Sequence, residues 1–334
     1  MVASDGCQPA ASEPGPTSAP DPSPASSTAD FHHLPVMVDE VVELIRSLPR
    51  GTFLDATVGG GGHASAVLEA NQGLRLFGLD RDPAALEAAA RRLEPHGDRV
   101  ILRRARFDQT EQAMNELPPP GLAGFLFDLG VSSPQLDVAD RGFSFRNDGP
   151  LDMRMDPDQA LSADDVVNRY DQRSLAELIR RYSDERNAPR IAAAIVAARP
   201  IETTARLAEV VADAIPAPAR RRGGHPARRT FQAIRIEVND ELRILGPAID
   251  RVLDALIPGG RGIVITYHSG EDRIAKDAFR RRTASTTPPG LPVAVDEPDF
   301  AIVRPIARKP GASELASNPR ASSARLRAIE RRAA

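Results

Sequence analysis

Two acids bracket a run of four glycines: Asp55-Ala-Thr-Val-Gly59-Gly60-Gly61-Gly62-His63 and, about one βαβ unit later, Gly78-Leu-Asp80-Arg-Asp82. Glycines at a strand-to-helix turn admit positive φ and let a ligand lie against the backbone. Phe53-Leu54 supplies the buried strand before the turn, and Ala64 to Ala70 the helix after it. Leu76-Phe77-Gly78-Leu79 forms a second strand ending on Asp80, whose carboxylate can accept both hydroxyls of a ribose. The layout suits an adenosine-bearing cofactor, and two fit. Gly59-x-Gly61-x-x-Ala64 satisfies the dinucleotide fingerprint, with Asp80 near the expected distance of about 20 residues, so an NAD(P)-dependent oxidoreductase stays open. Asp55 favours S-adenosylmethionine instead, because a carboxylate over the loop would repel a pyrophosphate and attract an ammonium group. A plain glycine turn followed by a helix capped by Asp82-Pro83 explains the loop alone, but not two acids in register.

Three further segments reach the same edge. Val100-Ile-Leu102 forms a third strand leading to Phe107-Asp108, where Phe107 is either an adenine platform or an ordinary core ring. Phe125-Leu-Phe127 forms a fourth, ending at Asp128-Leu-Gly130-Val-Ser132-Ser133-Pro134-Gln135, which sets an acceptor, two hydroxyls and an amide on one tight loop. Gly262 to Tyr267 forms a fifth, followed by Tyr267-His268-Ser269-Gly270-Glu271-Asp272. His268 at this strand end is a structural hydrogen-bonder or a proton acceptor. No metal is expected: the side chains of adjacent His32 and His33 diverge, and no spaced Cys, His or Asp set accompanies them.

Alternating strands and helices predict a doubly wound, parallel α/β sheet with ligands at the carboxyl ends of its strands. Val38, Val41, Val42, Ile45 and Leu48 keep helical spacing ahead of the first strand, and Leu86, Ala89, Ala90 and Leu93 do so after Pro83. Between the fourth and fifth strands the pattern turns wholly helical. Ser162-Ala-Asp-Asp resembles a capping box, and Leu175 to Tyr182, Ile191 to Ala198, Leu207 to Ile215 and Phe231 to Leu256 follow. The expected organisation is a sheet domain of residues 31–138 and 241–334, with an inserted all-helical domain of 139–240 above the pocket as a substrate lid. Pro258-Gly259-Gly260 would enter the fifth strand. Phe300 to Val303 and Leu326 to Ile329 would add edge strands.

The 334 residues suffice for a domain with an insertion or for two domains. A single cysteine, Cys7, rules out an internal disulfide and a cysteine-based zinc cluster and suits a reducing cytosol. Without an apolar run of membrane-spanning length or a leader-like start, a soluble cytoplasmic protein is expected. The net charge of −3 misleads: residues 1–30 carry four acids and no Lys or Arg, so the remainder is +1. That segment, rich in Pro, Ser and Ala, is expected to be a disordered tail. Arginine outnumbers lysine everywhere, as a GC-rich genome would produce, with only Lys276 and Lys309 among 43 basic residues. Residues 217–235 nevertheless gather Arg220, Arg221, Arg222, His225, Arg228, Arg229 and Arg235 with no acid, a charge suited to an RNA backbone or to a solvated face. Asn318 to Ala334 adds a weaker basic patch.

Taken together, His33-Leu-Pro-Val-Met-Val-Asp-Glu40, Asp55 to His63, Gly78 to Pro83, Phe127 to Leu136, Arg141-Gly-Phe-Ser-Phe145, Gly149-Pro-Leu-Asp-Met-Arg-Met-Asp156 and His225 to Ile234 resemble one family. It is the bacterial 16S rRNA cytosine-N4 methyltransferases, RsmH or MraW, and the resemblance spans about residues 31–330. It implies the class I S-adenosylmethionine-dependent methyltransferase fold, with cofactor contacts on Gly61, Gly62, His63, Asp80, Phe107, Asp128 and Gln135. The implied substrate is a cytosine in the decoding region of 16S rRNA, met in the small ribosomal subunit. Gly270 departs from the leucine usual in the family. Where amino-group methyltransferases commonly carry Asn/Asp-Pro-Pro-aromatic, this chain has Asp128-Leu-Gly-Val-Ser-Ser. Asp128, Ser132 and Ser133 are the candidates for holding an N–H of the amine, and His268 for accepting the proton. A ribosome-assembly factor that keeps the fold without turnover is the non-enzymatic alternative.

Overall fold

The structure, a computed structural model, describes residues 1–2, 35–110, 115, 117, 119–220, 224–285 and 297–333. The expected tail, except for its first two residues, lies outside the described residues, as do Arg221 and Arg222. Residues Phe31 to Ala334 form one compact unit. No helix among the described residues is long and apolar enough to cross a membrane.

Seven strands form the sheet: β1 (Gly51–Asp55), β2 (Leu74–Asp80), β3 (Val100–Arg104), β4 (Leu122–Asp128), β5 (Leu256–Thr266), β6 (Phe300–Ile302) and β7 (Arg325–Arg331), in the order β3-β2-β1-β4-β5-β7-β6. β1 to β5 run parallel, and β7 is antiparallel to both neighbours. The strand order reverses between β1 and β4, which is where a doubly wound sheet opens a ligand crevice. Two expectations shift. Leu326 to Ile329 is no edge, since β7 pairs with β5 on one side and β6 on the other. Pro258-Gly259-Gly260 lies inside β5, beside a register shift in its pairing with β4.

Alternation along the strands sends Phe53, Leu76 and Leu126 to one face, under helices Val38–Ile45 and Gly62–Ala70. Leu54, Phe77 and Phe127 go to the other, under helices Glu241–Ala255 and Ser269–Thr283. All six side chains are fully or almost fully buried. The sheet is thus covered on both faces, as parallel strands require.

Between β4 and β5 the helices Ala163–Arg169, Gln172–Ser183, Ala188–Ala197, Thr204–Ala214 and Arg228–Asn239 bury a third apolar cluster of their own, from Phe143 to Val238. Ser162 caps the first of them as anticipated, its hydroxyl accepting from the Asp165 amide. The stretch read as one helix from Phe231 to Leu256 is two, broken at Asp240 (φ 54°, ψ 33°), a left-handed conformation that ends one helix and redirects the chain.

Candidate active site

The carboxyl ends of β1, β2 and β4, the turn after β5 and the loops that follow them enclose one cavity. Its floor is the glycine turn. Gly59 (φ 51°) and Gly61 (φ 78°) are left-handed, and at Gly61 a Cβ would sit 3.3 Å from the Ala89 backbone, so helix Pro83–Leu93 holds the turn in place. Asp80 braces it from the side: Oδ2 accepts the Gly59 amide at 2.9 Å and Oδ1 the Asp82 amide at 2.9 Å. Each oxygen keeps a lone pair for a ribose hydroxyl. Burial raises the Asp80 pKa, with the two amides opposing. The Gly61 amide is likewise spent, on Val58 O at 2.8 Å. Two amides that a pyrophosphate would need are thereby taken, which replaces the argument made from Asp55. That residue does not face the loop as expected. It lies beneath it, 1% exposed and outside the cavity lining, its carboxylate accepting from Thr57 N at 3.2 Å and its pKa pushed up to about 8 by burial.

Asp128 occupies the opposite wall. Its backbone amide donates to Thr57 Oγ1 at 2.8 Å, and Tyr267 donates its hydroxyl to Oδ1 at 2.8 Å. Oδ2 lies 3.6 Å from His63 Nδ1, while His63 Nε2 sits 2.9 Å from the Val36 carbonyl. A carbonyl only accepts, so Nε2 carries a hydrogen and the neutral ring turns a lone pair toward Asp128. Burial raises the Asp128 pKa, against His63 and the Tyr267 hydroxyl. The loop beyond is rigid: Ser132 and Gln135 cap each other, Gln135 Nε2 reaches Asp82 at 3.3 Å, and Arg141 ties the same Asp82 to the carbonyls of Arg154 and Met155. Ser132 and Gln135 line the cavity. Ser133 opens the short helix Ser133–Asp137, which Ser132 caps and which contains Gln135. Phe107 packs edge-on to Phe127 at 5.7 Å, as a core ring does, and it also lines the cavity.

The model of the MraW methylase family matches residues 30–332. The chain belongs to this family. Similar curated relatives are named ribosomal RNA small subunit methyltransferase H. That of Mycobacterium sp. (strain KMS) is 50% identical over 90% of this chain and 84% of its own. That of Mycolicibacterium smegmatis is 51% identical, again over 90% and 84%. A solved putative rRNA methylase from Clostridium thermocellum aligns with 90% of this chain and 99% of its own at 12% identity, with a TM-score of 0.43.

In this MraW methylase, His268 stands outside the donor cavity. Its Nδ1 caps helix Ser269–Thr283 by accepting from Gly270 N (3.2 Å) and Glu271 N (3.4 Å), and its Nε2 is 3.0 Å from Glu271 Oε1 without hydrogen-bond alignment. The lone pair expected to take a proton is spent on the cap. Glu271, 2% exposed, is what faces the cavity. Burial opposes its ionisation, but His268, Arg235 and the Tyr267 amide together hold its pKa below the usual value.

The arginine segment divides. Arg235 is no phosphate ligand, because it is clamped on Glu241 by two 2.8 Å hydrogen bonds and lies 3.9 Å from Glu271. Arg229 leans on Glu185 at 3.5 Å. Arg228 and His225 are exposed on a second cleft that shares Gly130, Val131 and Tyr267 with the donor cavity. The short helix Ala217–Arg220 ends on Arg220. The basic C-terminal patch is mostly structural: Arg320 pairs with Asp137, Arg325 and Arg327 with Asp272, and Arg332 with Glu297, while Arg331 donates to Leu256 O. Sequence reasoning placed Tyr267 to Asp272 on this cleft but singled out His268 there, and it gave no individual role to Thr57, Arg81, Glu241, Tyr267 or Glu271, all of which line the cavity. Tyr267 carried a usable signal, since side chains alternate along an extended chain and His268 therefore points away from whatever Tyr267 faces.

Proposed function

We propose that this chain methylates the exocyclic N4 of a cytosine in the decoding region of 16S rRNA, acting on the small ribosomal subunit in the cytoplasm. As an MraW methylase it is an S-adenosylmethionine-dependent rRNA methyltransferase. The cavity suits that cofactor, with hydroxyl acceptors at Asp80, a ring at Phe107, an acid at Asp128 and the Gly59 and Gly61 amides already satisfied. Asp80 would hold the ribose, Phe107 the adenine, and Gly59, Gly62, His63 and Gln135 the walls around the remainder. When bound, S-adenosylmethionine supplies a methyl group on a sulfonium.

The observation that carries the reading is the Asp128 carboxyl, held by Tyr267 and His63 where the donor cavity meets the second cleft. The amine of cytosine is a weak nucleophile because its lone pair is delocalised into the ring. Asp128 accepts one N–H as the nitrogen pyramidalises, which frees that lone pair for in-line attack. As the new C–N bond forms and the methyl–sulfur bond breaks, its electron pair leaving on a neutral thioether sulfur, the same carboxyl takes the departing proton, and burial favours its protonated form. Tyr267 fixes the carboxyl plane by its hydrogen bond to Oδ1, and His63 Nδ1 borders Oδ2 at 3.6 Å. Small subunits lacking the modification, incubated with labelled S-adenosylmethionine, should acquire label on one cytosine N4 by mass spectrometry of digested rRNA. Label on carbon-5, a ribose oxygen or protein would refute the assignment.

A further inference from the structure

We infer that the second cleft holds the nucleotide adjoining the target cytosine, its base stacked on the exposed ring of His225 and its phosphate between Arg146 and Arg228. The inference rests on the rRNA reading above and adds a subsite to it.

A column of rings runs from the helical core to the cleft. Phe231, 4% exposed, meets Phe145 edge-on at 5.5 Å and 82°, and Phe145 stacks on His225 at 4.4 Å and 16°. The His225 Nδ1 accepts the Ala227 amide at 3.2 Å, which fixes the ring and leaves Nε2 as the hydrogen-bearing atom of the neutral imidazole. One face of this ring is thus covered by the protein, while the residue itself is exposed. A preformed aromatic surface that loses little entropy on contact is what an unstacked base needs, and stacking accepts any base.

The charges around it point the same way. Of the cleft arginines, Arg235 is spent on Glu241 and Arg320 on Asp137. Arg146, next in the chain to Phe145, and Arg228, at the start of helix Arg228–Asn239, are exposed and make no ion pair among the described residues. Two guanidiniums without a carboxylate beside an open ring suit a phosphate rather than an apolar protein face. The cleft measures about 660 Å³ and borders the donor cavity at Gly130, Val131 and Tyr267, so a strand laid in it delivers its next base to Asp128. The helical block then acts as a reader of single-stranded RNA.

The test uses the full chain and has two arms. In methylation of unmodified small subunits, His225→Ala should raise KM about tenfold, the scale of one lost base stack. His225→Phe should restore it, and S-adenosylmethionine affinity by calorimetry should stay at the wild-type value. In filter binding of a single-stranded pyrimidine oligonucleotide, read without any methyl transfer, His225→Ala should weaken binding with the salt slope retained, whereas Arg146→Ala or Arg228→Ala should flatten that slope by about 0.7. An unchanged KM in folded His225→Ala overturns the platform. So does a KM defect that His225→Phe fails to repair, or an oligonucleotide that binds wild type and His225→Ala alike, the outcome expected if a ribosomal protein fills the cleft. Should wild type bind the oligonucleotide through His225 yet methylate no small subunit, the function fails and the subsite stands.

Discussion

The donor cavity and the cleft beside it share three residues but treat charge oppositely. The cavity holds half-buried Asp80 and Asp128 in its walls and fully buried Asp55 beneath its floor, and enclosure pushes the pKa of each upward. The cleft keeps Arg146 and Arg228 at the surface, unpaired among the described residues. Between them lies Arg235, a cation of the basic segment locked to the cavity acids Glu241 and Glu271. Enclosure makes a carboxyl a good acceptor of hydroxyl, amine and proton. Exposure keeps a guanidinium ready for a phosphate without the cost of leaving water. One surface can thereby hold a cofactor's hydroxyls and a polyanionic substrate side by side.

The comparison is most easily broken at Asp128. Asp128→Asn keeps the shape but removes the proton acceptor, and methylation should slow by about 10²- to 10⁴-fold with cofactor affinity little changed. A variant with near wild-type turnover would move the chemistry elsewhere. Next comes Arg235→Leu, which strands two buried acids and should cost about 3 kcal/mol in urea unfolding, against about 0.5 kcal/mol or less for exposed Arg228→Ala. Equal costs would erase the distinction between a locked and a free cation. Asp80→Ala should weaken S-adenosylmethionine by about 1–3 kcal/mol in calorimetry, since two ribose hydroxyls and the Gly59 amide lose their acceptor. Unaltered affinity in the folded variant would remove the ribose role.

Asp55 is tested through pH rather than through activity. Its folded pKa of about 8 lies above the unfolded value, roughly 3.9 for a free Asp. The native state therefore keeps a proton that the unfolded chain releases in that interval, and stability falls as pH rises from about 4 to about 8. Asp55→Asn should flatten thermal stability against pH there, by up to about 1.4 kcal/mol per unit. An identical slope in the variant would mean that Asp55 is ionised in the fold.

Much of the fold was legible. Phe53-Leu54, Leu76 to Leu79, Val100 to Leu102 and Phe125 to Phe127 all fall inside β1 to β4, because a buried parallel strand is a short apolar run bounded by turns. Asp82 caps its helix through the Ala84 amide as Asp-Pro suggests. The break at Asp240 escaped because apolar spacing continues on both sides of it, and periodicity does not register one left-handed residue. The position of β7 escaped because pairing partners, unlike strand character, are chosen across the whole sheet.

Sequence by itself determined the glycine turn, the acids closing β1, β2 and β4, the helical stretch between β4 and β5 and the family, all of which are local patterns in fixed order. Tertiary structure decided which of those groups are available. It turned Tyr267 rather than His268 toward Asp128, sank Asp55 beneath the loop, and paired Arg327 with Asp272 while leaving Arg228 open. The physical reason is that residue type and spacing set the phase of a side chain within its own element. Its protonation, its partner and its access to water are set by groups distant in sequence, such as Tyr267 and Asp128, which lie 139 residues apart.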